Sequence, residues 1–339
     1  VLSLRRVALP ACALLFALAG CSAAPATSAT PSPTVTSATP SATPTPTPTP
    51  TPSVSVPVSD SLDAIKVTGE RLVAPKVDFK APFAIDKTRT KVLVEGKGAA
   101  ALADGYVTVH YYGINARTGK KFDESYSRKQ VATFSLGGVI NGFKTGLTGA
   151  RAGSRMLIAI PGPDGYDSAY EMDPSYAPEG YALGDTLLFV VDVIEVSLAQ
   201  PADKVVTPAA GLPVVTGGPA DKPTVSVAGL TAPTAKKTQV LLQGDGSKVA
   251  KDSTILARYV GYSFKTGQLV DDQWAEPSTG LLSSTIPGWQ TGLLNQQVGS
   301  RVLLVLPPAD GFPQGSNNPP LEAGDTIVYV VDLLFAYTS

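Results

Sequence analysis

The chain has 339 residues, and its 27 lysines and arginines nearly balance 28 aspartates and glutamates for a formal net charge of −1. That length leaves room for two or three domains, and so even a balance offers no basic face to a nucleic-acid backbone, so no nucleic-acid partner is expected. With 32 glycines and 30 prolines, the composition favours short strands joined by turns over a helical architecture.

At the N-terminus, Arg5 and Arg6 precede an apolar run over 7–19 that is too short to span a bilayer comfortably, and Leu18, Ala19, Gly20 and Cys21 close it. Charge, apolar run and terminal cysteine in that order resemble the signal-peptide lipobox of bacterial lipoproteins. The resemblance implies a signal peptide over 1–20, cleavage before Cys21, and a diacylglycerol on the Cys21 sulfur. The chain is then expected to be extracytoplasmic and lipid-anchored to the bacterial cell membrane. Cys12 leaves with the signal, so the mature chain has no disulfide and no free thiol, which excludes thiol catalysis and a cysteine-held metal. From Cys21 to Ser59 runs a stalk whose composition after the cysteine collapses to Ala, Ser, Thr, Pro and Val, with Thr-Pro repeated five times over 43–52. Proline forbids helix, so this is expected to be a disordered, extended stalk rising ~3.1 Å per residue, on the order of 100 Å in all.

From 60 to 198 the pattern predicts one domain, with strands over 91–95, 106–114, 119–124, 131–135, 155–160 and 186–196 and a short helix over 143–147. Val107, Val109 and Tyr111 alternate with Thr108, His110 and Tyr112, as on a half-buried strand, and a Thr-Gly turn then returns the chain to Phe122 and Asp123. One hairpin thus brings Tyr111, Phe122 and Asp123 together: two aromatic rings beside a single carboxylate. Gly142, Gly146 and Gly149 each disfavour the short helix by about 1 kcal/mol relative to alanine.

The chain then repeats itself. VLVEGKG at 92–98 returns as VLLQGDG at 240–246, and Tyr111 and Gly113 return as Tyr259 and Gly261, at an offset of 148. Gly142–Phe143, GSR at 153–155, DGY at 164–166 and VVD at 190–192 recur in the same order as Gly288–Trp289, GSR at 299–301, DGF at 310–312 and VVD at 330–332. VTG at 67–69 and at 215–217 predicts a small strand ahead of each copy. The second copy occupies 215–339, and the aperiodic Ala- and Pro-containing stretch 199–214 is predicted to be a linker. In the second copy the helical pattern is expected over 289–297.

VHYYG at 109–113, GKKFDES at 119–125, VINGF at 139–143, Ile160–Pro161, DGY at 164–166 and TLLF at 186–189 together resemble an FKBP-type peptidyl-prolyl cis-trans isomerase domain across the whole first copy and, more loosely, the second. The fold implied is α+β: two FKBP-like domains, each an antiparallel sheet wrapped around a short helix. The resemblance implies a proline-binding pocket lined by Tyr111, Phe122, Val139, Ile140, Tyr166 and Phe189 over a floor at Phe143, with Asp123 as the pocket carboxylate and Arg128 holding it. The counterparts in the second copy are Tyr259, Val270, Asp271, Ile286, Trp289, Phe312 and Tyr329, with Glu276 where the first has Arg128. That copy is expected to be weak or inactive. The partners implied are proline-containing unfolded or exported polypeptides, together with the macrolide inhibitors of the family. The lipid on Cys21 adds the membrane.

Twisting an X-Pro bond faces a barrier of ~18–20 kcal/mol, and an apolar pocket that strips water from the carbonyl lowers it with no covalent intermediate. No cofactor is called for, and no metal-loop spacing is found. The family's usual tryptophan is Phe143 here, and an aromatic is replaced by Ala132, which predicts a wider cavity. The loop 168–182 either reads the residues around the proline or is a solvated excursion, the second being favoured. A purely binding, chaperone-like lipoprotein is the alternative function. A hydrolase is excluded, because the single histidine, His110, points away from Tyr111 and no Gly-x-Ser-x-Gly elbow accompanies it.

Overall fold

The computed structural model describes residues 56–338. The signal peptide, Cys21 and the stalk as far as residue 55 lie outside the described residues. Val58–Ser59 already pairs in parallel with Ala84–Ile85, so pairing begins inside the stretch read from sequence as stalk.

The two copies are two strand-rich α+β domains on one plan. In the first, the strand order is Arg89–Val94, Arg155–Ile160, Leu187–Val196, Tyr106–Asn115 and Lys120–Glu124, with Ala132–Ser135 sharing the far edge of Tyr106–Asn115. Every neighbouring pair is antiparallel. The second repeats the order with Lys237–Leu242, Arg301–Leu306, Ile327–Tyr337, Thr254–Ser263 and Leu269–Leu281. Here the last strand is continuous where the first domain breaks into two strands around a turn.

Both faces of each sheet are covered, which explains the unbroken apolar run LLFVV at 187–191. Val107, Val109, Phe189, Val191 and Val193 face the short helix Asn141–Leu147. Ile114, Leu188 and Val190 face the opposite way, onto Ile65, Val67, Val77 and Phe79 of an N-terminal hairpin, Lys66–Thr68 with Lys76–Asp78. The second domain has the same hairpin, Val214–Thr216 with Thr224–Ser226, so the small leading strand read from VTG is one arm of a hairpin in each copy.

The glycines that argue against the helix are the reason it fits. A Cβ on Gly146 would sit 2.7 Å from Ile158 Cγ2, and one on Gly142 would run into Ile160, so positions i and i+4 let the helix lie directly on the strand Arg155–Ile160. Gly288 and Gly292 play the same part against Leu306 and Leu304. The second helix is shorter than its sequence pattern suggests: it spans Pro287–Gly292, and Asn295, at φ 64°, has already turned away to donate to the Val249 carbonyl at 2.9 Å.

One fully buried charge interrupts each central strand. Asp192 is fully buried and accepts from Arg155 Nε and Nη2, both at 2.7 Å, while the guanidinium also donates to the carbonyls of Gly69 and Val73 at 2.8 Å. Asp332 and Arg301 repeat this, at 2.7 and 3.0 Å, with Arg301 reaching the Gly217 and Gly218 carbonyls. A buried ion pair with its spare donors satisfied in this way locks each hairpin to its sheet.

The stretch 199–214 is not a free tether. The amide of Leu198 donates to the Leu334 carbonyl at 2.9 Å, Ala202 to Gly299 at 2.8 Å, Val206 to Leu241 at 2.9 Å, and Gln243 returns a bond to Lys204 at 2.8 Å. Tyr106 of the first domain stacks on Phe335 and Tyr337 of the second, with centroids 5.8 and 5.9 Å apart. Periodicity fails here because each bond comes from the main chain, which leaves no side-chain pattern to read.

Candidate functional site

Between the first sheet and its helix, Tyr111, Phe122, Val139, Ile140, Phe143, Tyr166 and Phe189 gather into one apolar cluster. Gly113 makes room for it: a Cβ there would lie 2.7 Å from the Phe122 ring and 3.0 Å from that of Phe189. Phe122 meets Phe189 edge-on at 5.6 Å, and Phe143 meets Phe189 at 4.5 Å. Phe134, which sequence reading missed, packs edge-on against Phe143 at 6.0 Å. It lies two residues beyond Ala132 on the same strand face, so the aromatic missing at Ala132 is supplied one register step later.

At the mouth of this cluster stands a fixed charge. Asp123 Oδ1 accepts from Arg128 Nη1 at 2.7 Å and from the Glu124 amide at 2.8 Å, and Oδ2 accepts from the Tyr111 hydroxyl. Arg128 Nη2 closes the triangle on Tyr111 Oη at 2.9 Å. Burial, then the Asp123 carboxylate, pushes the Tyr111 hydroxyl up to about 12. Burial and the same carboxylate raise Tyr166. Both oxygens of Asp123 are engaged, which fixes the orientation of its carboxylate. His110 lies on the other face, with Nδ1 2.8 Å from Ser125 Oγ and its ring stacked on Tyr126 at 4.9 Å. Among the described residues no group of three or more His, Cys, Asp or Glu is placed to hold a metal.

The loop over the cleft is exposed along 171–176 and anchored on either side of that stretch. It carries a helix, Asp167–Met172, and folds Tyr170 and Tyr181 inward, their rings 5.7 Å apart, with Tyr181 Oη donating to Asp167 Oδ1 at 2.7 Å. Tyr181 also meets Tyr166 edge-on at 6.1 Å. Asp167, which stands where the family often has glycine, is the residue that ties the loop down, and its second acceptance comes from the Gly184 amide at 2.9 Å.

The sequence profile of FKBP-type peptidyl-prolyl cis-trans isomerases matches residues 98–194 and again 246–334, together more than half of the chain. The chain belongs to that family. A probable FK506-binding protein of Corynebacterium glutamicum is 36% identical over 123 residues, spanning 35% of this chain and 96% of the relative. The isomerase FkpA of Escherichia coli is 34% identical over 113 residues, 33% of this chain and 39% of that protein. The crystal structure of FkpA shows 33% identity over 32% of this chain and 47% of that one, with a TM-score of 0.29.

The second FKBP domain holds a cavity of about 310 Å³ lined by Tyr259, Asp271, Gln273, Thr285, Ile286, Trp289, Phe312, Asn318, Pro319 and Tyr329. Val270, expected in this lining, is not part of it, although it packs, partly buried, against the same core as Tyr259, Ile286 and Phe312. Four lining residues escaped the sequence reading. Gln273 and Thr285 sit beside recognised positions, whereas Asn318 and Pro319 form the turn of a hairpin, Ser316–Asn317 with Pro320–Leu321, that has no counterpart in the first domain. Asp271 Oδ2 accepts from the Tyr329 hydroxyl at 2.9 Å. Burial raises Asp271, and the neighbouring Asp272 adds to that. Tyr259 is pushed up to about 12 by burial and then by Asp271.

Proposed function

We propose that the first domain is a peptidyl-prolyl cis-trans isomerase acting on exported polypeptides outside the cell membrane, anchored through Cys21, and that the second domain binds peptide with little or no turnover. The observation that carries the assignment is the Tyr111–Asp123–Arg128 triangle set against the ring cluster of Phe122, Phe143 and Phe189. A prolyl ring entering that cluster loses its water and with it the solvation that favours the planar amide. The amide of Ile140 and the hydroxyl of Tyr166 would hold the flanking carbonyls. Asp123 would act on the twisted, less charge-separated bond as a fixed field, with no proton in flight. In the second domain Phe312 lacks the Tyr166 hydroxyl and Asp271 lacks an arginine, which supports binding over turnover.

The test is a coupled isomerase assay on a proline tetrapeptide with the chain from residue 54 onward, with and without FK506, since related proteins carry that ligand in their names. Turnover that FK506 abolishes and that Phe122→Ala reduces is expected. A rate equal to buffer would leave the binding reading, which the exposed Met172, Tyr176 and Leu183 on the loop over the cleft favour as sites for unfolded apolar segments.

A further inference from the structure

The two clefts differ most in what faces their carboxylate. In the first, Asp123 is neutralised by Arg128 at 2.7 Å. In the second, the position 148 residues on from Arg128 is Glu276, in the bulged middle of a continuous strand. Lys222 is paired with the neighbouring Asp272. Asp271 therefore keeps only neutral donors, the Tyr329 hydroxyl and the Asp272 amide, and no cation acts on it among the described residues.

Around this charge the rings form a corner. Tyr259 and Trp289 are 4.8 Å apart at 83°, Tyr259 and Tyr329 5.7 Å apart at 77°, and Trp289 and Tyr329 5.3 Å apart at 89°. Three nearly perpendicular rings, with Phe312 as a fourth wall, line the cavity that also contains Asp271. Aromatic faces are negative, and a half-buried carboxylate without a counter-ion is costly to keep charged.

The geometry points to a cation site: we propose that the second cleft takes the positively charged side chain of a lysine or arginine in a polypeptide, held by Asp271 and the faces of Tyr259, Trp289 and Tyr329. This rests on the reading of the second domain as peptide-binding and names its ligand class. It also gives the two domains opposite preferences, because a cationic side chain entering the first cleft would meet Arg128. A client with a proline and a basic residue would then be sorted between the two clefts by charge.

The experiment uses Trp289 as its own reporter. The chain has two tryptophans, and Trp274 lies on the other side of the sheet, stacked on Arg258 at 4.0 Å. The full chain, and its Trp274→Phe variant, is titrated with acetyl-Ala-Lys-Ala-amide, the matched glutamine peptide and the matched proline peptide while indole emission is followed at low salt. The lysine peptide is expected to bind about tenfold more tightly than the glutamine peptide, an advantage lost in Asp271→Asn and shrinking with added salt. Equal binding of lysine and glutamine peptides while the proline peptide binds would overturn the cation site and leave the second cleft a peptide-binding one. No emission change with any of the three would overturn both readings.

Discussion

The two domains share a frame and differ in their clefts. Both lock a leading hairpin to the sheet with a buried arginine and aspartate, and both seat a short helix on the sheet through two glycines four residues apart. The clefts share Tyr111 with Tyr259 and Asp123 with Asp271, but a turn holding Arg128 in one is a continuous strand holding Glu276 in the other. The frame residues answer to several partners at once, so a change at any of them breaks packing and hydrogen bonds together. The cleft residues face open space on one side, which leaves room for an exchange such as Arg128 for Glu276 on an unchanged frame.

The strongest test of the shared frame is to break the same lock twice. Arg155→Met leaves the buried Asp192 without its counter-ion and is expected to destabilise the first domain by about 3–5 kcal/mol, whereas Arg301→Met leaves Asp332 still paired with Arg258 at 2.8 Å and is expected to cost the second domain less. Urea unfolding followed by circular dichroism reads both domains, while indole emission reads the second alone, since both tryptophans lie there. A loss below about 1 kcal/mol at Arg155, or one no smaller at Arg301, would show that the buried pairs do not hold the two domains in this way.

Exchange of the cleft residues should separate the domains in activity. Phe122→Ala is expected to lower kcat/KM on a proline tetrapeptide by about tenfold or more, through loss of the ring that desolvates the substrate. Arg128→Glu, which gives the first cleft the second cleft's charge, should lower it by about tenfold, and Tyr166→Phe by about fivefold for one hydrogen bond. If Arg128→Glu leaves the rate untouched, the difference at Glu276 does not account for a weak second domain.

The contact between domains is weaker than either frame. Tyr106→Ala removes two stacked pairs, each contributing about 0.5–1.5 kcal/mol. The frames should survive, and the connecting stretch around the exposed Lys204 should become more sensitive to trypsin. Unchanged digestion would mean that the main-chain bonds of 198–206 and the Ser247–Glu195 hydrogen bond hold the domains together without the stacked rings.

The sequence displays most of the frame and one of the clefts. Period-2 alternation exposed the long strand Tyr106–Asn115, and the repeat exposed the duplicated domain, because burial on a sheet leaves a pattern every second residue. Tyr111, Phe122 and Asp123 were readable because the hairpin fixes their spacing, whereas Arg128 came only from the family resemblance. Phe134 was hidden by a shift of two residues, which keeps the strand face but breaks positional matching. The role of Arg155 was hidden in plain view: GSR and VVD recur in both copies, yet nothing local says that the arginine of one meets the aspartate of the other across the sheet. Asn318 and Pro319 were invisible because a wall built by a turn depends on where that turn folds back.

The finest distinction between the domains lies one residue beyond each cleft carboxylate, where Glu124 of the first faces Asp272 of the second. Glu124, whose side chain is 7% exposed, is pulled from its ordinary 4.5 down to about 2 by hydrogen bonds from Ser127, hydroxyl and amide, which outweigh the burial that opposes them. Asp272, 44% exposed, is lowered chiefly by its bond to Lys222. A carboxyl whose folded value lies below its unfolded one adds stability above the unfolded value and loses it as pH falls toward the folded one. The advantage of the parent chain over Glu124→Gln should therefore be complete above pH 4.5 and fade on the way to about 2. Asp272→Asn should lose its smaller advantage in the same direction. Salt divides the two, since Glu124 is held by neutral donors and Asp272 by an exposed ammonium: raising ionic strength to 1 M should erase the Asp272 difference and spare that of Glu124. Equal salt sensitivity in the two variants would mean that Lys121, 3.4 Å from Glu124, and not Ser127, sets the charge state of the first domain's carboxylate.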